Sequence, residues 1–169
     1  MQVEMQNNMF RIEKMKEEDI LICAEAVYST DFGRLYYPSV KILERLLREG
    51  LERDFIYTAK KNGTVLGFIW FSLNSMFGKF PYLNFIFVLE PYKKKGVGRE
   101  LIKHFEKTAF QICKNPKLKV FLVVKNNNEN AIRFYQKNGY DTVGTIQGLF
   151  RTSVNEIFMM KHLNLCNIG

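Results

Sequence analysis

The sequence predicts an α/β (α+β) fold built on a central mixed sheet, and three observations carry that expectation. Asn62–Gly63 separates two strand-like runs, Phe55 to Lys60 and Thr64 to Leu73. That dipeptide suits a type I′ hairpin, because both positions take positive φ readily. Residues 82–88 (YLNFIFV) form a nearly continuous apolar run, as expected of a central strand buried on both faces. A turn, a helical pattern and a second apolar run, 118–124 (LKVFLVV), follow in order. Strand, helix and strand in that sequence make a right-handed crossover between neighbouring strands.

The remaining elements follow in order. Residues 1–8 read as a loose polar tail, and 10–14 (FRIEK) alternate as a strand does. Ile20, Cys23, Ala24, Val27 and Tyr28 recur at helical spacing behind Glu17, Glu18 and Asp19, acidic residues that suit the positive end of a helix. Residues 29–38 (STDFGRLYYP) are expected to be an ordered loop, after which Ser39 caps a helix with Val40, Leu43 and Leu47 on its apolar face, ending near Gly50. Beyond a turn at 89–95, Val97, Leu101, Phe105, Ala109 and Ile112 mark the crossover helix. A short helix from about Glu129 to Asn138 stops at Gly139, where a left-handed cap costs least, and strand-like runs near 143–150 and 155–162 close the chain. There is no internal repeat, low-complexity tract or Pro/Gly/Ser linker, so residues 1–169 are expected to form a single domain.

A composition 47% hydrophobic, with 15 Phe, excludes a disordered chain. The net charge of +8 attracts anions, whether nucleic acid, a membrane surface or a phosphorylated cofactor; it equally serves as a solvated surface that keeps a Phe-rich chain in solution. Cys23, Cys113 and Cys166 are odd in number and far apart, without a C-x-x-C pair and with only two histidines in the chain. Neither a disulfide framework nor a metal site is expected, and a reducing cytoplasm fits. The opening MQVEMQNNMFRIEK lacks the apolar run of a secretory signal, and no stretch reaches the ~18–20 apolar residues of a membrane span. A soluble protein without membrane contact is the expectation.

Val88 to Arg99 reads VLEPYKKKGVGR, so the central strand ends and a helix begins around glycines 96 and 98. The first turn of a helix offers unpaired N–H groups and a positive dipole end, and glycine lets a phosphate approach the backbone. Lys93, Lys94 and Lys95 add charge there. By itself the G-x-G also suits a plain turn, and the lysines a solvated one. The dinucleotide fingerprint is excluded because Leu101 stands at its third glycine, and the P-loop because no G-K-[ST] follows.

Val88 to Gly98 resembles the pyrophosphate turn V-x-x-P-x-[RQ]-x-x-G-x-[GA] of the GNAT family of N-acetyltransferases, departing at Lys93, where Arg or Gln is usual. Residues 124–140 (VKNNNENAIRFYQKNGY) resemble the family's second motif, N-x-x-A-x-x-[FL]-Y-x-x-x-G-[FY], through Asn128, Ala131, Phe134, Tyr135, Gly139 and Tyr140. The helix and strand between the motifs are also similar. The resemblance implies a twisted, mostly antiparallel sheet, its central parallel strands 82–88 and 118–124 splayed, with helices on both faces. It implies acetyl-CoA as cofactor, its pantetheine arm against Ile86, Phe87 and Val88, and its pyrophosphate on the N–H groups of Lys94, Lys95, Gly96, Val97, Gly98 and Arg99 beside Lys93. Asn128, Ala131, Phe134 and Tyr135 would complete the cofactor contacts.

The implied reaction is N-acetylation of a primary amine, on a small molecule or a protein N-terminus or lysine, by direct attack on the thioester. The Ile86 N–H would face the thioester oxygen and Tyr135 would protonate the leaving sulfur. From the residues alone, Tyr135 follows the second crossover strand closely enough for its phenol to lean toward the strand ends, with plain packing as the alternative reading. Asn128 reads as a helix N-cap or as a cofactor contact. Many family members carry a carboxylate near position 84, where this chain has Asn84. A water held by Asn84 or by backbone, or Asp31, or Glu129, is left open as the base. Cys113 and Cys166 have no identifiable activating group for covalent catalysis. The resemblance assigns acceptor choice to 29–38, with Phe32, Arg34, Tyr36 and Tyr37, and to 74–81 (NSMFGKFP); Phe32, Tyr36 and Asn84 are the acceptor-binding candidates. Their aromatic, mildly basic character points to an amine on an apolar or acidic frame. The rival readings are a non-catalytic coenzyme A-binding sensor and a nucleic-acid binder, the latter disfavoured because the densest lysine cluster already belongs to the phosphate turn. A homodimer through a C-terminal edge strand is left open.

Overall fold

The computed structural model describes residues 10–164; the polar stretch 1–8 and Cys166 lie outside the described residues. The strands are β1 (Arg11–Lys14), β2 (Phe55–Lys61), β3 (Thr64–Met76), β4 (Phe80–Val88), β5 (Leu118–Lys125), β6 (Asp141–Gln147) and β7 (Asn155–Leu163). They form one seven-stranded sheet in the order β1-β2-β3-β4-β5-β7-β6. The helices are α1 (Glu17–Tyr28), α2 (Asp31–Tyr36), α3 (Val40–Arg53), α4 (Val97–Cys113) and α5 (Glu129–Lys137). The expected mixed, mostly antiparallel sheet is present, with β4 and β5 as a parallel pair registered at Tyr82 and Phe121. Residues 10–69 with Ile86–Leu101 make one compact unit, and Trp70–Phe85 with 102–164 a second.

In the first unit β1 pairs antiparallel with β2, Arg11 opposite Lys60 and Lys14 opposite Tyr57. Helix α1 buries Ile20, Cys23, Ala24 and Val27, and α3 buries Leu43 and Leu47, the faces that their helical spacing predicts. Asp19 accepts the Lys16 N–H at 3.0 Å and also binds Lys60, whose Nζ lies 2.7 Å from Asp19 and 3.3 Å from Glu13. A buried lysine persists there because two carboxylates replace its water. Asn62 and Gly63 have φ of 50° and 81°, the left-handed pair that the tight hairpin requires.

Two expectations fail in this unit. Residues 29–38 are not loop throughout, because α2 forms behind Thr30, whose Oγ1 accepts the Gly33 N–H at 3.0 Å. A Cβ at Gly33 would lie 2.0 Å from the Val27 carbonyl oxygen, so this glycine serves a close approach rather than a break. Helix α3 also continues past Gly50, which is buried within it, and ends where the Asp54 N–H donates to the Gly50 carbonyl at 2.8 Å. Packing outweighs the weak helix preference of glycine here.

In the second unit β3 runs on to Met76, and Phe77 and Gly78, with φ of 54° and 65°, turn it directly into β4. The segment 74–81 is thus two strand ends and a tight turn, a hairpin end of the sheet. Strand β7 pairs antiparallel with β5, from Leu118 opposite Leu163 to Lys125 opposite Glu156, and with β6 on its other side. The edge strand at that end is therefore β6, and β6 stops at Gln147, short of the expected 150. Phe105 of α4 meets Phe71 of β3 at 4.8 Å between ring centres, and Ile102, Phe105, Ala109, Val120 and Leu122 are buried together with Met159 and Leu163. Lys161 binds Glu106 at 2.7 Å and lies 5.7 Å over the Tyr140 ring. Gly139, at φ 85°, ends α5 as expected.

The largest departure concerns the central strand. Only Pro81 and Leu83 of β4 are buried, and Asn84, Phe85, Ile86, Phe87 and Val88 are all half-buried. Its apolar run therefore marks surface that the protein chain itself leaves partly uncovered, not a strand packed on both faces.

Candidate active site

The predicted residues fall into two groups, one in each unit. In the first unit the chain leaves β4 through a 3₁₀ turn at Glu90–Tyr92, held by the Tyr92 N–H on the Leu89 carbonyl at 2.9 Å and the Lys93 N–H on that of Glu90 at 3.3 Å. Lys94 and Gly96 then take φ of 59° and 83°. Helix α4 starts at Val97, and the first bond that closes its ladder is from the Glu100 N–H to the Gly96 carbonyl at 3.1 Å. The N–H groups of Val97, Gly98 and Arg99 thus have no intrahelical acceptor. A Cβ on Gly96 would meet no atom within 4 Å, so open space lies against the backbone where an anion would sit. Lys94, Lys95 and Arg99 are exposed around it. Lys95 Nζ lies 5.9 Å from the Tyr92 ring centre, and Lys93 is tied to Glu90 at 2.5 Å, which spends part of its charge within the turn.

Strand β4 alternates the direction of its backbone groups. The Leu89 N–H donates to the Leu66 carbonyl at 2.9 Å, and the Phe87 carbonyl presses on β3 so closely that a Cβ on Gly67 would lie 2.5 Å from it. Residues 87 and 89 therefore face β3, and Ile86 and Val88 direct their N–H and C=O groups away from it. Ile86 and Val88 hold the backbone groups that a ligand could reach, whereas Phe87 offers only its side chain.

In the second unit α5 is capped by Asn128, whose Oδ1 accepts the Ala131 N–H at 3.1 Å. The N-cap reading of Asn128 is present in the structure. Phe134 and Ala131 are half-buried. Tyr135 retains 8% exposure, its ring 5.4 Å from that of Phe134 and 5.8 Å from that of Tyr140. Burial first, and the neighbouring Tyr82 second, push its phenol well above the usual tyrosine range. Such a hydroxyl holds its proton at any physiological pH.

Phe32 and Tyr36 lie together on α2, 4.7 Å between ring centres, and Asn84 belongs to the other unit. The carboxylates considered as bases are already engaged: Asp31 with Arg34 at 2.6 Å and Glu129 with Arg133 at 3.2 Å, both in exposed pairs. Sequence reasoning passed over Tyr82 and Glu156. Glu156 is buried to 2% exposure, and its one visible signal was a charge placed in phase with Phe158 within an apolar run. Among the described residues no cluster of His, Cys, Asp and Glu is arranged to hold a metal ion, and no helix is long and apolar enough to cross a membrane.

Comparison with known proteins places these features in context. Residues 18–140 match the family model described as the acetyltransferase (GNAT) family. A stretch of 72 residues is 29% identical to N-alpha-acetyltransferase 50 of Danio rerio, covering 41% of this chain and 40% of that protein's length. The fold superimposes on Ard1 from Thermoplasma volcanium with a TM-score of 0.70 at 26% identity, over 92% of this chain and 98% of that one. A variant spermidine N-acetyltransferase from Vibrio cholerae shares the fold, with a TM-score of 0.73 at 15% identity over 92% and 95% of the two chains. A streptothricin acetyltransferase candidate from Bacillus anthracis, solved in complex with acetyl coenzyme A, matches with a TM-score of 0.57 at 27% identity over 66% and 64%.

Proposed function

This chain belongs to the GNAT acetyltransferase family, and we propose that it transfers an acetyl group from acetyl-CoA to a primary amine by direct attack, as a single catalytic domain. The observation that carries this reading is the partly uncovered end of β4, Asn84 to Val88, running straight into a turn with open N–H groups. Acetyl-CoA, the cofactor of the family, supplies an acyl group activated as a thioester. The residues present fit it. Positive φ at Lys94 and Gly96 and empty space over Gly96 leave room for a diphosphate, and Val97, Gly98 and Arg99 add helix-start donors. Lys94 and Lys95 supply charge, and Lys93 supplies less because Glu90 already holds it.

Val88 would pair its backbone with the pantetheine amides, and Phe87, Ala131 and Phe134 would cover the arm. The free amide of Asn128, beyond its capping oxygen, would bind its polar end. The Ile86 N–H would donate to the thioester oxygen as charge builds there; a preorganised donor in that role commonly contributes about 3–4 kcal/mol. Tyr135 would hold the proton that the departing sulfur needs, a role worth ~10²–10⁴-fold.

The likeness to N-alpha-acetyltransferase 50 favours an α-amine as acceptor, with Phe32, Tyr36 and Asn84 as contacts. A cytoplasmic enzyme fits Cys23, whose thiol burial pushes up to about 12, with Asp19 adding and Lys60 opposing; such a thiol is inert. A homodimer formed at the C-terminal end of the sheet would pair through β6. The second reading is a coenzyme A-binding sensor without turnover, motivated by Asn84 where many relatives carry a carboxylate. Thermal shift with acetyl-CoA, ATP and NAD tests the cofactor, and amine-dependent thiol release separates the two readings. Acetyl-CoA alone should stabilise the protein, and stabilisation by ATP or NAD instead would overturn the proposal.

A further inference from the structure

One face of the second unit carries a carboxylate that none of the roles above uses. Tyr82 is registered with Phe121, Phe121 with Met160, Val123 with Phe158, and Lys125 with Glu156. Paired residues project to the same side of a sheet, as do residues two apart on one strand. Phe80, Tyr82, Phe121, Phe158 and Glu156 therefore share a face. Their rings bear this out: Phe80 meets Phe121 edge-on at 5.4 Å, and Phe121 stacks on Phe158 at 5.3 Å and 8° between planes. On the opposite face Val120 and Leu122 are fully buried, whereas Phe80, Tyr82, Val123 and Phe158 are only half-buried.

Glu156 closes this aromatic row. Its Oε2 accepts the Leu149 N–H at 3.3 Å, and its buried Oε1 has no hydrogen-bond partner among the described residues. The side chain opposite on β6 is the apolar Ile146, and Lys125 stands opposite on β5. Leu149 and Phe150, on the loop that Glu156 holds, are 44% and 58% exposed. A buried carboxylate oxygen left without a donor is costly, and a bound cation removes that cost. Tyr82 is no rival for taking a proton: burial first and the Glu156 charge second push its phenol up to about 12, with the Val123 backbone opposing. Tyr82 in turn helps to raise the Tyr135 phenol, and the carboxylate, the neutral phenol and the proton-holding phenol belong to one unit.

We propose that Glu156 binds the ammonium group of the acceptor and takes its proton, and that the Phe121–Phe158 row seats an apolar frame attached to that amine. The proposal rests on the acetyltransferase reading and deepens it. An N–H bond of the ammonium breaks and an O–H bond forms on Glu156, leaving the nitrogen with the lone pair that attacks the acyl carbon. The proton then leaves Glu156 for solvent, and Tyr135 separately delivers a proton to the sulfur and recovers one as the new amide loses its extra hydrogen. Charge and atoms balance without any further reactant.

The test uses Glu156→Gln, which still accepts the Leu149 N–H, with 2-phenylethylamine and a Phe-initiated tetrapeptide as acceptors. A third probe is 2,2-difluoro-2-phenylethylamine, whose amine is largely uncharged at neutral pH. The wild type should acetylate the first two, and the variant should lose about 10²-fold in kcat/KM for them while keeping its KM for acetyl-CoA and its melting temperature. That loss should shrink by about an order of magnitude with the difluoro amine, a pattern that damage to packing alone would not produce. Unchanged turnover, or an equal loss with all three amines, would overturn the proposal. Should the variant fail to fold, 2-phenylethanol as a competitor of the wild type decides: weak competition supports a site for the cation, and competition as strong as amine binding overturns it. Absence of thiol release from the wild type with every amine would instead bring down the acetyltransferase reading, and this inference with it.

Discussion

Tyr135→Phe removes one oxygen and leaves the ring, so the structure sets opposite expectations for stability and for rate. The ring contacts with Phe134 and Tyr140, at 5.4 Å and 5.8 Å, survive the change. The phenol makes no hydrogen bond to the described residues, so its loss orphans no partner and should alter stability by no more than about 1 kcal/mol. In a protein of this size that is a melting shift of roughly 2–4 °C at most. For rate the proposed mechanism makes the oxygen decisive, because burial keeps its proton in place for the departing sulfur. Loss of general-acid help of ~10²–10⁴-fold corresponds to about 2.7–5.4 kcal/mol of barrier. Thiol release followed at saturating acetyl-CoA, beside thermal shift with and without it, reads both. Full turnover in the variant would refute the proton-donor role. A joint fall in stability, cofactor binding and rate would show that Tyr135 only packs.

The other perturbations probe the turn, the buried charges and the pH response. Gly96→Ala must place a Cβ at φ 83°, a left-handed strain of about 1–2 kcal/mol, and the methyl enters the open space proposed for a diphosphate; calorimetry should show acetyl-CoA affinity falling about tenfold or more, and unchanged affinity would place the anion elsewhere. Lys60→Met leaves Asp19 and Glu13 without their buried cation, a loss of about 3–5 kcal/mol read by denaturant unfolding, which the double change with Asp19→Leu should largely recover. His104 has its pKa lowered, by burial first and Lys107 second, so the fold favours the neutral ring. That stability is present above the ordinary value of 6.5 and is lost as pH falls through the lowered one. Melting temperature should therefore drop on acidification below neutrality, and less steeply in His104→Gln.

What could be seen in the residues was whatever depends on local chemistry. Asn62–Gly63 marks its hairpin because positive φ is a property of those residue types, and Gly139 marks the end of α5 for the same reason. The glycine turn that opens α4 and the Asn128 cap were legible as spaced residue types. Gly33 and Gly50 misled because their reason is a neighbour's backbone or a packed face, which only the folded chain reveals. Residues 82–88 read as doubly buried because an apolar run looks the same whether protein or a ligand is to cover it. Glu156 was missed because its partners on the face, Phe121 and Tyr82, come from strands far away in sequence. Asp31 and Glu129, close to the motifs in sequence, proved to be exposed and paired.

The central claim is most directly tested by incubating the chain with acetyl-CoA and a panel of primary amines and peptides, then quantifying acetylated product by mass spectrometry beside released coenzyme A thiol. An acetylated amine and free thiol in equal amounts, both dependent on enzyme and acceptor, are the predicted result. Saturable acetyl-CoA binding with no acceptor-dependent thiol from any amine would contradict it.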